Sequence, residues 1–179
     1  MICERLEECL DAQIHKELVC ECVNKKDECI EISDCRSNVK CEERGKKYVL
    51  ENTQKNHVVL YKIDGGVVVQ DKTVPQGICK CDYLFTINGT EKEAIVTELK
   101  GVDVAHSLKQ IDGTLTLFKK FFSGFSHVYG RIIVGSSTPN IKASPNYVNL
   151  YNRLQNTYGG NLKIEKIQFT EKDMELAKV

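Results

Sequence analysis

Three charged residues lie within two apolar segments of the sequence. Asp82 is in CDYLFTI (residues 81–87), and Glu98 and Lys100 are in AIVTELK (residues 94–100). Both segments have the composition of β-strands, in which side chains alternate between faces, so Glu98 and Lys100 project from the same face about 7 Å apart. A carboxylate and an ammonium in such a strand are costly to bury unless they are paired, hydrogen-bonded or bound to metal. With Asp82 they could form an oxygen-rich Mg²⁺ site with one amine at its edge.

The connection between the two segments decides whether these side chains meet. A two-residue turn at Asn88-Gly89 would direct Asp82 and Glu98 toward opposite faces of the sheet. A five-residue connection, Asn88 to Lys92, would place Asp82 opposite Glu98, and a β-bulge could restore the same parity. The metal-site hypothesis requires one of these last two arrangements.

The remaining pattern predicts an α/β fold with a mixed central β-sheet flanked by helices. Predicted helices cover residues 2–22, 103–122 (with Asp103 as N-cap) and 145–157. Predicted strands cover residues 46–52, 57–63, 67–70, 81–87, 94–100, 127–136 and 162–170. The first two of these strands are expected to form a hairpin, because only a short turn-like segment separates them.

One stretch of the sequence resembles a known family. Asp82, followed by Glu98-Leu99-Lys100 and Gly101, resembles the PD-(D/E)xK signature of the restriction-endonuclease-like nucleases. The similarity covers about residues 57–136. The position before the aspartate, which is Pro in the family pattern, is Cys81 here. The resemblance implies a restriction-endonuclease-like core, which we expect over residues 46–179.

The resemblance also implies a chemistry for these residues. Asp82 and Glu98 would hold Mg²⁺ or Mn²⁺, with the Leu99 backbone carbonyl as a further ligand. Lys100 would orient or activate the attacking water and stabilise developing charge. The implied function is that of a metal-dependent endonuclease that hydrolyses DNA phosphodiester bonds, in restriction, defence or repair. Cleavage of both strands would require two sites, which is compatible with a homodimer.

Further residues around this motif are candidates for supporting roles. His106 and Gln110 follow on the predicted helix, one turn apart, and are expected to contact the substrate backbone. Glu51 and Asp64 are candidates for an additional acidic residue at the site. For Asp64, the following Gly65-Gly66 equally indicates a simple turn former.

Two other interpretations remain open at this stage. The charged triplet could be a cross-strand ion pair without catalytic function, since such pairs are common and weakly stabilising. The chain could also be a catalytically idle nucleic-acid-binding module, or a protein-interaction module, on the same fold. Retention of Asp82, Glu98 and Lys100 together argues against an idle descendant of a nuclease.

The N-terminal quarter of the sequence differs in composition from the rest. Residues 1–43 contain six basic and twelve acidic residues, whereas the remainder contains nineteen basic and thirteen acidic residues, which suits a polyanionic partner. Seven of the nine cysteines also lie there. We therefore expect an acidic, Cys-rich, helical N-terminal extension over residues 1–45.

The cysteines and the apolar segments bear on location and cofactors. No segment is apolar enough to cross a membrane, and the acidic first residues do not fit a signal peptide, so we expect a cytoplasmic protein without a membrane partner. The Cys20-x-Cys22 and Cys79-x-Cys81 pairs could bind zinc or an iron–sulfur cluster. Their spacings match no standard motif, so Mg²⁺ or Mn²⁺ is the expected cofactor.

Overall fold

The computed structural model describes residues 2–15, 29–69, 77–136 and 140–178. Within these residues the helices are α1 (Leu6–Ile14), α2 (Val104–Leu117), α3 (Lys119–Phe122) and α4 (Pro145–Tyr158). The strands are β1 (Ile30–Asp34), β2 (Asn38–Glu43), β3 (Lys46–Glu51), β4 (His57–Lys62), β5 (Tyr83–Asn88), β6 (Lys92–Lys100), β7 (His127–Val134), β8 (Leu162–Lys166) and β9 (Gln168–Lys172). Short 3₁₀ turns cover Ile141–Ala143 and Asp173–Glu175.

The strands form two sheets. The larger sheet has the strand order β1-β4-β5-β6-β7-β8. Its first four strands in this order, β1, β4, β5 and β6, pair antiparallel with one another in turn, whereas β7 pairs parallel with both β6 and β8. The smaller has the order β2-β3-β9, with β2 antiparallel and β9 parallel to β3. The predicted mixed α/β architecture with a helix-flanked sheet is therefore confirmed.

Each face of the large sheet is covered by a different layer. On one face, Leu84 and Val96 pack against Leu108 and Ile111 of α2 in a core shared with the other helices. On the opposite face, residues such as Phe85 and Ile95 pack against the smaller sheet in a second core. Alternation along β5 and β6 assigns each side chain to one layer, and even-numbered residues face the helices.

The predicted hairpin of residues 46–52 and 57–63 is wrong, although both strands exist. β3 pairs with β2 and β9 in the small sheet, whereas β4 pairs with β1 and β5 in the large sheet. Asn52, which is fully buried between them, accounts for this change of sheet. Its side chain donates to the carbonyls of Arg36 and Asn56 and accepts from the Asn56 N–H, which fixes a corner.

The predicted final strand over residues 162–170 is in fact two strands in different sheets. Ile167 separates β8 from β9 and has a φ of 60°, which is rare for a β-branched residue. Its N–H donates to Val134 of the large sheet and its carbonyl accepts from Lys47 of the small sheet. These two bonds hold the chain where it crosses between layers, so a continuous strand is excluded.

The predicted helical extension over residues 1–45 is only partly helical. α1 covers residues 6–14 of the predicted helix, and residues 16–28 lie outside the described ranges. Two strands, β1 and β2, follow in residues 30–34 and 38–43, which corrects the prediction of a helical segment. β1 pairs with β4 and β2 pairs with β3, across the predicted boundary at residue 45. Val39 and Cys41 of β2 are buried between the sheets, and this burial favours the strand.

Two further predictions, of a short strand and of a long helix, are only partly met. The predicted strand at 67–70 has only isolated bridges at Val68, to Ile2 and Asp64, and residue 70 is not described. The predicted helix over 103–122 is interrupted at Phe118, whose ψ of 33° separates α2 from α3. Among the described residues, no helix is both long and apolar enough to cross a membrane.

Candidate active site

The register of β5 against β6 brings the predicted residues together. The ladder closes with Asn88 opposite Lys92, and the same register extended to the other end places Asp82 opposite Glu98. The connecting loop is therefore only residues 89–91, because Asn88 and Lys92 pair with each other. The parity that the metal-site hypothesis requires is confirmed.

Glu98 is fully buried on the helix-facing side of β6. Its side chain lies on the same face as Ala94 and Val96, and none of the described residues makes a hydrogen bond to either carboxylate oxygen. The Lys100 Nζ lies 3.7 Å from Oε1, which is an ion-pair contact without a hydrogen bond. A buried carboxylate with two unsatisfied oxygens is strongly unfavourable unless it is protonated or binds a cation.

Asp82 is attached to β6 just beyond the end of the strand ladder. Its Oδ2 accepts a hydrogen bond of 2.7 Å from the Leu99 N–H, and within the described chain Oδ1 accepts none. The Leu99 side chain points away, into the core between the sheets. This bond holds the Asp82 carboxylate beside Glu98 and keeps one of its oxygens available. The Leu99 carbonyl as a ligand stays a prediction.

The two carboxyl groups have raised pKa values for related reasons. Burial, followed by the nearby charge of Asp82, raises the pKa of Glu98 to about 9, and Lys100 opposes this effect. The Asp82 backbone N–H also lowers the pKa of Glu98, although it does not meet the geometry of a hydrogen bond. Burial also raises the pKa of Asp82 to about 6, against the effect of the Leu99 N–H. At neutral pH and without a cation, Glu98 therefore retains a proton.

Lys100 is directed by Gln110 of α2. The Lys100 Nζ donates to the Gln110 Oε1 over 3.1 Å, and the Gln110 Nε2 donates to the Lys80 carbonyl over 3.0 Å. Gln110 is only 8% exposed. Because both ends of its amide are used within the protein, Gln110 orients Lys100. The contact of Gln110 with a substrate stays a prediction.

His106 has a different environment on the same helix. Its backbone N–H donates to the Asp103 side chain, so the predicted N-cap is confirmed. The His106 side chain is exposed, one turn before Gln110. Its contact with a substrate stays a prediction.

Helix α2 also holds the segment that carries Asp82. The Thr114 hydroxyl accepts a hydrogen bond from the Cys81 N–H, and a Cβ at Gly113 would lie 2.4 Å from the Cys79 carbonyl oxygen. Only glycine allows this close approach of helix and loop. Gln110, Gly113 and Thr114 thus form one face of α2 that positions both Lys100 and the segment before Asp82.

The two additional acidic candidates lie in different places. The Asp64 carboxylate contacts the Lys80 Nζ at 3.2 Å, and its charge contributes to the raised pKa of Asp82. Asp64 is therefore near the cluster. Glu51 pairs with Asn38 and Lys172 in the smaller sheet, and no contact among the described residues joins it to Asp82 or Glu98.

A third acidic residue, Glu43, was not anticipated from the sequence. It ends β2, and its charge contributes to the raised pKa values of both Asp82 and Glu98. The alternation of Val39, Cys41 and Glu43 is the signal that could have identified it, since it places Glu43 on the inward face at the end of a strand. The charged composition of the surrounding segment obscures this pattern.

The side chains of the candidate site fit Mg²⁺ better than the cysteines fit a thiolate-bound metal. Among the described residues, no three His, Cys, Asp or Glu side chains converge as a ligand set. Mg²⁺ accepts one or two carboxylates and completes its coordination with water, so the Asp82–Glu98 pair fits it. For thiolate-bound metals, burial raises the pKa of Cys41 and Cys81, which opposes thiolate formation, and Cys20 and Cys22 are not described.

Comparisons with known proteins do not extend this description: no protein-family model, no curated protein and no solved structure matches the chain. The geometry around Asp82, Glu98 and Lys100 is therefore the basis for a functional proposal.

Proposed function

We propose that this chain is a metal-dependent nuclease of the restriction-endonuclease-like type, which hydrolyses DNA phosphodiester bonds with Mg²⁺ or Mn²⁺. One observation carries the proposal: Glu98, fully buried and opposite Asp82, has two carboxylate oxygens without a hydrogen bond from any described residue. Buried polar atoms are satisfied in native proteins with few exceptions, and a bound ion at a functional site is one recognised cause of an exception.

The alternative of a purely structural ion pair fits the same contacts less well. In a buried pair, the loss of hydration is offset only when geometry is good and the remaining lone pairs are satisfied. Lys100 lies 3.7 Å from Glu98 and directs its hydrogen bond to Gln110 instead. An isolated pair of this kind leaves Glu98 unsatisfied, whereas a divalent cation would satisfy it together with Asp82.

The roles of the three side chains follow from their positions. Asp82, anchored by the Leu99 N–H, and Glu98 would hold the cation on the helix-facing side of β5 and β6. The cation would polarise the scissile phosphate and lower the pKa of a water. Lys100 is about one-third exposed and is oriented by Gln110, so its ammonium can orient the attacking water or stabilise charge on the phosphate.

The test is cleavage of labelled duplex DNA, single-stranded DNA and RNA with Mg²⁺, with Mn²⁺ and with EDTA. We expect metal-dependent cleavage that is lost in Lys100→Met and Glu98→Gln. Lys109→Met, an exposed lysine on α2, and Glu165→Gln, an exposed glutamate on β8, are the matched controls and should cut normally. Binding of DNA without cleavage by the folded wild type would instead support the idle nucleic-acid-binding module.

A further inference from the structure

The hairpin that joins β2 to β3 has an unusual residue at its tip. Arg44 and Gly45 both have positive φ angles, 48° and 75°, as in the two-residue type I′ turn. Glycine and asparagine suit the first of these positions, whereas other residues are strained there. An arginine at this position therefore lowers the stability of the turn, and a strained residue of this kind is often retained for function.

The same tip lies against the end of the strands that form the candidate active site. The Lys46 Cε lies 3.7 Å from the position that a Cβ would occupy at Gly135, directly after β7. The Gly135 N–H donates to the Gly101 carbonyl over 2.7 Å, and Gly101 follows Lys100. The effect of Glu43 on the pKa of Asp82 agrees with this placement.

The Arg44 side chain is available to a ligand. It is 87% exposed, and the one ion-pair contact that it makes with a described residue joins its Nε to Glu43 at 3.4 Å, which is weakly stabilising at such exposure. Its terminal nitrogens meet no acceptor in the described part of the chain. Lys46 donates from Nζ to the Arg44 carbonyl over 3.0 Å and thereby supports the tip. Through this contact the guanidinium lies beside Glu43, whose charge acts on the pKa values of both Asp82 and Glu98.

We propose that Arg44 binds a backbone phosphate of a nucleic-acid strand next to the phosphodiester at the Asp82–Glu98 site, so that the β2–β3 tip is a substrate clamp. This inference rests on the proposed function. The Asp82 carboxylate repels a polyanion that approaches the site, and a guanidinium near the end of β6 offsets that repulsion. Arginine binds phosphate through two parallel N–H bonds, and the terminal nitrogens of Arg44 can provide that contact.

The experiment compares Arg44→Asn with Arg36→Asn, because these arginines flank the opposite ends of β2 and the substitutions remove the same charge. Binding of a short labelled DNA duplex is measured in EDTA, where no cleavage occurs, at several NaCl concentrations. We expect Arg44→Asn to weaken binding. The plot of the logarithm of the association constant against log [NaCl] has a negative slope, and the substitution should make this slope about 0.9 less steep, the value for one lost phosphate contact. With a single strand the reduction should be about 0.7.

A second measurement guards against a merely structural effect. Asparagine suits the type I′ turn, so Arg44→Asn should raise the Tm while weakening binding. If its binding slope equals that of the wild type or of Arg36→Asn, or if the wild type binds neither probe, the clamp is refuted. If the wild type cleaves DNA with metal but Arg44→Asn binds DNA with the wild-type salt dependence, only the clamp is refuted. If the wild type does not cleave but Arg44→Asn shows the reduced salt dependence, only the nuclease function is refuted.

Discussion

Two buried charged clusters in this protein differ in how well their polar atoms are satisfied. Arg131 is fully buried between the sheets, donates to both oxygens of Glu171, and also bonds Asn161 and the Leu176 carbonyl. Tyr48 donates a further hydrogen bond to Glu171. Glu98 is equally buried, yet neither of its oxygens makes a hydrogen bond with a described residue.

The difference separates a structural role from a functional one. The Arg131 cluster joins β7, β9 and the C-terminal turn, and both oxygens of Glu171 accept hydrogen bonds from protein donors. The Asp82–Glu98 pair departs from the rule that buried polar groups are paired, and such departures are expected at functional sites. A buried ionisable group does not by itself indicate a site, whereas a buried carboxyl group whose oxygens lack hydrogen-bond partners does.

The largest expected effect tests the satisfied cluster. Arg131→Met should lower the free energy of unfolding by about 3–5 kcal/mol, because it leaves the Glu171 carboxylate buried without its main partner. Denaturant unfolding at neutral pH is the measurement. The double variant Arg131→Met/Glu171→Gln should recover part of the loss. If Arg131→Met were as stable as the wild type, the hydrogen bonds of Arg131 would not stabilise the fold, and the contrast with Glu98 would fail.

A smaller effect is expected from the residue that orients Lys100. Gln110→Met removes both amide contacts at similar volume and should lower kcat about tenfold to a hundredfold, the range for residues that support a site indirectly. KM should change little, because both ends of the amide face protein groups. Gln155→Met, on the exposed side of α4, is the control. A rise in KM at constant kcat would instead favour the substrate contact that the sequence predicts.

The smallest effect concerns the pH dependence of stability in EDTA. Because the folded state raises the pKa of Glu98 to about 9, it binds this proton more tightly than the unfolded state does. The contribution of Glu98 to the free energy of unfolding is therefore fully present below pH 4.5 and is lost as the pH rises toward about 9. Glu98→Gln should match the Tm of the wild type at low pH and exceed it at pH 9.

The same comparison includes the metal. Mg²⁺ or Mn²⁺ should raise the Tm of the wild type at high pH and leave that of Glu98→Gln nearly unchanged, since the cation needs the ionised carboxylate. Burial raises the pKa of Asp82 to about 6, so Asp82 contributes to the pH dependence that remains in the variant. If the wild type and Glu98→Gln had the same Tm at every pH, both with and without metal, Glu98 would not be the unsatisfied group that distinguishes its cluster from that of Arg131.

Local pattern was enough to predict the elements of the candidate site, although the sequence left the parity of the β5–β6 ladder open and the structure decided it. The strands around Asp82 and Glu98 and the N-cap at Asp103 follow from side-chain alternation and short-range hydrogen bonding. These features depend on residues close together in the chain. The same is true of α4, which Ser144 caps and Gly159 ends in a left-handed conformation.

The partners of distant elements did not follow from the sequence. The β3 and β4 strands are adjacent in the chain but belong to different sheets, because Asn52 fixes a corner that no periodicity reveals. Ile167 similarly divides one apolar run between two sheets. Glu43 comes near Asp82 only because the smaller sheet packs on the larger.

The sequence by itself determined which residue types share a face of each predicted strand, and therefore that Glu98 and Lys100 project together and that Asp82 could meet them. Only the tertiary structure decided that Glu98 is fully buried without a hydrogen bond from the described residues, that Gln110 turns inward to Lys100, and that Arg131 is paired. The physical reason is that side-chain alternation is a property of the local backbone. Desolvation and hydrogen-bond satisfaction depend instead on which distant segments pack against a group.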